Sequence, residues 1–311
     1  LVTITADSIR TTTEKVSVPM ASALESLTRA NVDDLLTAFG LQQIRVGRRL
    51  LVWLLTPPAR RFARQVLEYD RRVGLAEFAG ASQWGLQTFK TTVKVHQQAP
   101  LPTQGPLLLL SNHPGLTDAL VIFANVPRPD LRVIAATRSF LQVLPNIDQR
   151  LIYADLTGSS GPNRQTIRCA ATHLQQGGAL LTFPAGKIEP DPALYATEAH
   201  AAFAHWSASI DLLARLAPTT QIVPVLVSGV INPRTHRHPL TRLRRMRKDR
   251  DWLGATLQLL IPAYQAVQAE IHFGEPLLAS ALSRRDQPRA VTAAVIATMQ
   301  QLVKQHYAND Y

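Results

Sequence analysis

The chain has 311 residues, with 33 Lys and Arg against 22 Asp and Glu, for a formal charge of +11. At 46 % hydrophobic and 18 % charged residues it has a globular balance, which excludes a disordered or fibrous chain and leaves room for one large domain or two modest ones. A single cysteine, Cys169, excludes an internal disulfide framework and a cysteine-based zinc cluster, and a reducing compartment fits best.

Residues 1–16 read as a flexible lead, Thr-rich and without the apolar stretch of a signal peptide, so a cytoplasmic protein is expected. Residues 17–88 carry a helical pattern. Leu35, Leu36, Phe39 and Leu41 recur at mostly helical steps, followed by Leu50, Leu51, Trp53 and Leu54. No apolar run approaches the ~20 residues of a spanning helix. The pair Pro57-Pro58 predicts a corner between two or three helices. Beyond residue 89 short strands alternate with helices. Strands are predicted over 92–96, 107–110, 131–136, 151–154, 179–183, 221–227 and 270–273, and helices over 163–176 and 198–216. A last helix runs from about 288 to 307 within a C-terminal segment of 278–311, entered through Asp286. This alternation predicts an α/β fold: a mostly parallel sheet flanked by helices, behind an N-terminal helical segment.

The strongest chemical signal is Leu107-Leu108-Leu109-Leu110-Ser111-Asn112-His113-Pro114-Gly115-Leu116-Thr117-Asp118. A buried strand gives way to a polar turn holding a histidine, and a carboxylate follows five residues later. On one regular helix that step would leave the two side chains roughly 140° apart. They meet only if His113 precedes the helix, on a turn made by Pro114-Gly115, with Asp118 in the first helical turn, where its charge suits the helix dipole. One imidazole nitrogen would then face Asp118, and the other would be fixed as an acceptor able to take a proton from a hydroxyl. No serine or cysteine nucleophile accompanies the pair, so it suits direct attack by a substrate hydroxyl. The plainer alternative is a turn histidine capping local backbone. Against it stands the pair's place at the carboxyl end of a predicted strand, where open α/β folds put their sites.

A second loop, Phe183-Pro184-Ala185-Gly186-Lys187-Ile188-Glu189-Pro190, follows another predicted strand. Pro184 ends that strand, Gly186 allows close approach of backbone to a ligand, and Lys187 offers a cation to a phosphate or an oxyanion.

Asn112-His113 with Asp118 is similar to the first motif of the glycerolipid (PlsC-like) acyltransferases, spaced His-x4-Asp. Phe183-Pro184-Ala185-Gly186 resembles that family's Phe-Pro-Glu-Gly motif, Ile222-Val223-Pro224-Val225 its late strand, and Phe273-Gly274-Glu275-Pro276 the strand end that closes the domain. The resemblance implies an acyltransferase domain over 89–277 that moves a fatty acyl group from an acyl-CoA or acyl-carrier-protein thioester to a hydroxyl of a lysolipid or glycerol-phosphate-like acceptor. It implies His113 as general base and Asp118 as its orienter, with Asn112, Phe183, Pro184, Gly186, Lys187 and Arg164 at the substrates and backbone amides near Gly186 by the oxyanion. The acyl thioester enters as substrate, and no cofactor or metal is expected. Two departures stand out. Ala185 replaces the family's acid, and Leu156 falls where an arginine would hold a phosphorylated acceptor, leaving Lys187 and Arg164 as the substitutes. Acyl-thioester hydrolysis by the same pair, or a non-catalytic basic protein that binds lipid or nucleic acid, are the alternatives.

The positive charge is local. Arg45, Arg48, Arg49, Arg60, Arg61 and Arg64 interleave with Leu50, Leu51, Trp53, Leu54 and Phe62. Arg242, Arg244, Arg245, Arg247, Lys248 and Arg250 lie among Leu243, Met246, Trp252 and Leu253. Tryptophan beside arginine on an amphipathic segment suits a membrane interface, so peripheral binding to an anionic inner membrane face is expected, and nucleic acid is not the expected partner. His236 and His238 lack a third ligand by spacing, and His200 and His205 fall on different helix faces. His96, His173, His272 and His306 read as isolated. Cys169 reads as a small core residue.

Overall fold

Eight strands form one sheet: β1 (Thr91–Gln97), β2 (Leu107–Ser111), β3 (Arg132–Ala136), β4 (Leu151–Ala154), β5 (Ala179–Thr182), β6 (Gln221–Ser228), β7 (Val267–Phe273) and β8 (Leu277–Leu278). In this computed structural model the described residues are 20–115, 117–154, 164–242, 244–283, 287 and 289–308. The expectations for residues 1–16, for Leu156 and for the start of the last helix at Asp286 lie outside them. The order is β1-β7-β6-β2-β5-β3-β4, with β8 beside β6. All ladders are parallel except β6–β7 and β6–β8. The sheet is thus mostly parallel, as the alternation predicted, with β8 the one strand not anticipated.

Successive residues of β2 feed two cores. Leu107 and Leu109 join Val223, Val225, Val227 and Ile271 on one face, covered by α1 (Met20–Ala38), α2 (Arg48–Thr88) and α3 (Asp118–Ala124). Leu108 and Leu110 join Ile222 and Leu226 on the other, covered by the Arg164–Gln175, Ser209–Leu216 and Ala290–Ala308 helices. A strand with helices on both faces is apolar at every position, which is why β2 reads as an unbroken leucine run. The predicted core residues Ile167, Ala171, Leu174, Val291, Val295, Met299 and Leu302 are all buried. Cys169 is exposed, contrary to expectation, because it points away from the Ile167–Leu174 stripe.

Pro57-Pro58 make no corner. Both lie inside α2. The carbonyls they leave unpaired belong to Trp53 and Leu54, which are exposed, so water can satisfy them. The break falls instead at Ala76 and Glu77 (φ 59, ψ −178), where Phe78 turns in to stack on Phe123 at 4.2 Å. The helix expected over 198–216 is also interrupted. Ala196–Ala202 passes into a 3-10 turn, Phe203–His205, and Trp206 is extended. Burying the Trp206 indole, with its N–H on Glu189, outweighs the intrinsic helical preference of the segment. Among the described residues no helix is long and apolar enough to cross a membrane.

The helical segment is tied to the short Pro145–Asp148 helix by a buried carboxylate. Asp70, on α2, accepts hydrogen bonds from the Asn146 backbone (3.0 Å), the Asn146 side chain (2.9 Å) and the Ile147 backbone (2.8 Å), capping a short helix more than seventy residues away. Asp70→Ala strands these donors, so stability should fall by about 2–3 kcal/mol in chemical denaturation. A variant as stable as the parent would mean that this tie does not hold α2 in place.

Candidate active site

Three loops meet beyond the carboxyl ends of β2, β5 and β6, and a buried side chain pins each. Asn112 follows the last residue of β2. Its amide nitrogen donates to the Val227 carbonyl and its oxygen accepts the Val227 N–H, both at 2.8 Å, extending the β2–β6 pairing by side chain. Asp191, fully buried, accepts from the backbone N–H groups of Ala193, Gly229, Val230 and Ile231, locking the loop after β5 to the loop after β6. Burial lifts the Asp191 carboxyl to about 6, although these donors pull the other way.

Glu189 forms the third brace. Its Oε2 accepts the His113 N–H at 3.1 Å, its own N–H donates to the His113 carbonyl at 2.8 Å, and its Oε1 accepts the Trp206 indole N–H at 2.9 Å. Sequence reading missed Glu189, Asp191 and Trp206. The one available signal was a carboxylate two residues after Lys187 in a loop otherwise poor in acids.

On this frame sits the pair. His113 precedes α3, Asp118 opens it, and His113 Nδ1 lies 2.5 Å from Asp118 Oδ2. Asp118 is fully buried, and its other oxygen accepts the Ala119 N–H at 2.7 Å. The imidazole is part-exposed and packs against the Phe183 ring at 4.5 Å. With Nδ1 committed to the carboxylate, Nε2 is the nitrogen that can act on a substrate. Burial works to lower the His113 pKa, but the charge and hydrogen bond of Asp118, aided by Glu189, outweigh it and raise the value above 6.5.

The remaining predicted site residues divide sharply. Asn112 and Pro184 are buried, and the Asn112 side chain is committed to Val227. Gly186 (φ 62) stands exposed at the loop tip, but its N–H donates to the Phe183 carbonyl at 3.0 Å and is therefore not free for an oxyanion. Lys187 is exposed one strand away from His113. Arg164 is exposed at the start of the helix that follows β4. No described contact joins Arg164 to the pair. Among the described residues, no group of three metal-ligating side chains includes His113 or Asp118.

Beside the pair, α1, α2, α3 and the Arg247–Leu260 helix enclose an open, mainly apolar groove of about 590 Å³. Leu27, Phe62, Val66, Tyr69 and Trp252 line it, and Thr117, next to Asp118, forms part of its wall.

Residues 92–228 match the family model described as Acyltransferase. The match covers a little under half of the chain. The matched segment spans β1 to β6 and contains the His113–Asp118 pair together with Glu189. A solved structure with some likeness to the chain is the 1-acyl-sn-glycerophosphate (LPA) acyltransferase PlsC from Thermotoga maritima. It is 14 % identical over 91 % of this chain and 94 % of that one, with a TM-score of 0.43. No curated protein compared with the chain matches it.

The buried Glu189 has a measurable consequence for stability. Burial, only partly offset by its donors, raises its carboxyl to about 7 from 4.5. Between those values the folded chain keeps a proton that the unfolded chain has released. Its stabilising contribution is therefore complete below pH 4.5 and is lost as pH rises towards 7. Glu189→Gln should flatten the fall in stability across this window by on the order of 1–3 kcal/mol, leaving the Asp191 component. An unchanged slope in thermal melts would place the titrating proton elsewhere.

Proposed function

We propose that the protein transfers a fatty acyl group from an acyl-CoA or acyl-carrier-protein thioester to the hydroxyl of a lysolipid or glycerol-phosphate-like acceptor, working peripherally at the inner face of a membrane. The observation that carries this reading is the 2.5 Å contact between His113 Nδ1 and buried Asp118, set beside an apolar groove. His113 Nε2 takes the proton of the acceptor hydroxyl as its oxygen attacks the thioester carbonyl carbon. The tetrahedral intermediate collapses, the C–S bond breaks, and the leaving thiolate regains the proton from the imidazolium. Asp118 holds the ring in the productive tautomer and stabilises its charge. Lys187 is the cation placed to meet an acceptor headgroup, and the groove takes an acyl chain. The reaction calls on no cofactor beyond the thioester substrate.

Membrane contact rests on exposed side chains. Leu50 (59 %), Trp53 (67 %) and Leu54 (52 %) are exposed among Arg45, Arg48 and Arg49, and Met246 and Trp252 are exposed among the second group of arginines. Arg61 and Phe62 from one patch and Trp252 from the other line the same groove.

His113→Ala should lower turnover by about 10²–10⁴-fold in a folded protein. Thiol release from acyl-CoA should depend on an added lysolipid, whereas release independent of acceptor would make the enzyme a hydrolase. Because the base must be neutral, kcat/KM should rise with pH through the raised His113 pKa. Asp118→Asn removes the partner that raises it, so the acidic limb should move to lower pH while the rate falls. A limb that stays in place would mean that another group is the base. In flotation assays the protein should rise with anionic vesicles more than with zwitterionic ones, and Trp53→Ala should weaken the association. Equal flotation on both would remove the electrostatic part of this proposal.

A further inference from the structure

On the sheet face opposite the groove, one carboxylate oxygen collects three imidazoles. Glu270 and His272 lie two residues apart on β7, so their side chains share a face. His96 on β1 is in register with His272, and His306 comes from the Ala290–Ala308 helix packed above them. These histidines, isolated in the sequence, are therefore not isolated in the fold.

The distances form a pattern. His96 Nε2, His272 Nε2 and His306 Nδ1 lie 3.1, 3.7 and 3.5 Å from Glu270 Oε2. Zinc–ligand bonds of about 2.0–2.1 Å at tetrahedral angles put neighbouring ligand atoms about 3.3–3.4 Å apart. The donor atoms of His96, Glu270 and His272 all lie within 4.8 Å of one another, and His306 Nδ1 reaches the same Glu270 oxygen from the helix above. Hydrogen bonding does not account for the cluster. Only His96 is bonded to Oε2, while His272 Nε2 and His306 Nδ1 are buried with no hydrogen-bond partner, in side chains only 4 % exposed. Two such nitrogens aimed at one oxygen are what an unfilled ligand set looks like. Lys94 engages the other oxygen, Oε1, at 3.3 Å and so turns Oε2 towards the histidines.

We propose that His96, Glu270, His272 and His306 form a structural site for a divalent transition-metal ion, with zinc the best match to three imidazoles and one carboxylate. Four protein ligands leave no open position for substrate, and the site stands on the face away from His113. The ion would instead join β1 at the sheet edge to β7 and the C-terminal helix.

The test uses the full chain, stripped with a chelator and then titrated with Zn2+ and separately with Co2+. The expected result is one ion per chain by calorimetry and elemental analysis, a higher Tm with Zn2+, and the visible bands of four-coordinate Co2+. His96→Gln, at a part-exposed position that spares the core, should weaken binding by at least about 10–100-fold, as should Glu270→Gln. His238→Gln, on a surface loop, should leave it unchanged. Failure of the parent to take up an ion at micromolar Zn2+, or full binding by His96→Gln, would overturn the site.

Discussion

The arrangement around the first loop depends on one buried charge. Asp118 has no solvent to stabilise it, and a carboxylate in that position is costly unless its oxygens are bonded. The Ala119 N–H takes one oxygen and the His113 ring takes the other, with the Gly115 N–H directed at the same atom from 3.4 Å. The imidazole is therefore part of what makes the buried carboxylate tolerable, and the carboxylate fixes the imidazole in return. Neither could keep its place if the turn between β2 and α3 were free to move. That is the role of Asn112, whose amide continues the β2–β6 ladder where the strand has ended, and of Glu189, which grips the His113 backbone on both sides.

Glu189 also changes the meaning of Ala185. In the motif that this loop resembles, an acid stands where Ala185 is; in this chain the acid four residues later turns inward and is buried against Trp206. A carboxylate at the loop tip would face a substrate, whereas one beneath the loop can only brace it. The tip is left with Gly186 and an exposed Lys187, a local charge of +1 where the resembling motif carries an acid.

What the sequence made legible was whatever is local in the chain. The leucine run of β2, the turn at Pro114-Gly115 and the placement of His113 before a helix opened by Asp118 follow from spacing and backbone preference within a dozen residues. The failures are equally instructive. Pro57-Pro58 read as a corner because a proline pair commonly stops one helix and opens the next, whereas the exposed carbonyls of Trp53 and Leu54 can bond to water and the helix continues. Trp206 breaks a helix for the sake of a partner seventeen residues away, and nothing near it in the chain signals Glu189. The histidine cluster lay beyond sequence reading altogether. His96 and His272 become neighbours only through the β1–β7 register, across more than 170 residues.

The division of the sheet into two faces explains why the long N-terminal helices matter to the site although their residues carry none of the chemistry. Alternate side chains of β2 and β6 send one core towards α1, α2 and α3 and the other towards the C-terminal helix. The groove opens among the helices that cover the first face, whereas on the second the Ala290–Ala308 helix packs on the strands. The groove's apolar walls come from α1, α2 and the Arg247–Leu260 helix, and two of these also carry the exposed tryptophans among arginines. Thr117, one residue before Asp118, stands in the groove wall. The proline pair inside α2 contributes to this geometry: Pro57 and Pro58 line the groove, and without backbone N–H groups they present it with an apolar surface.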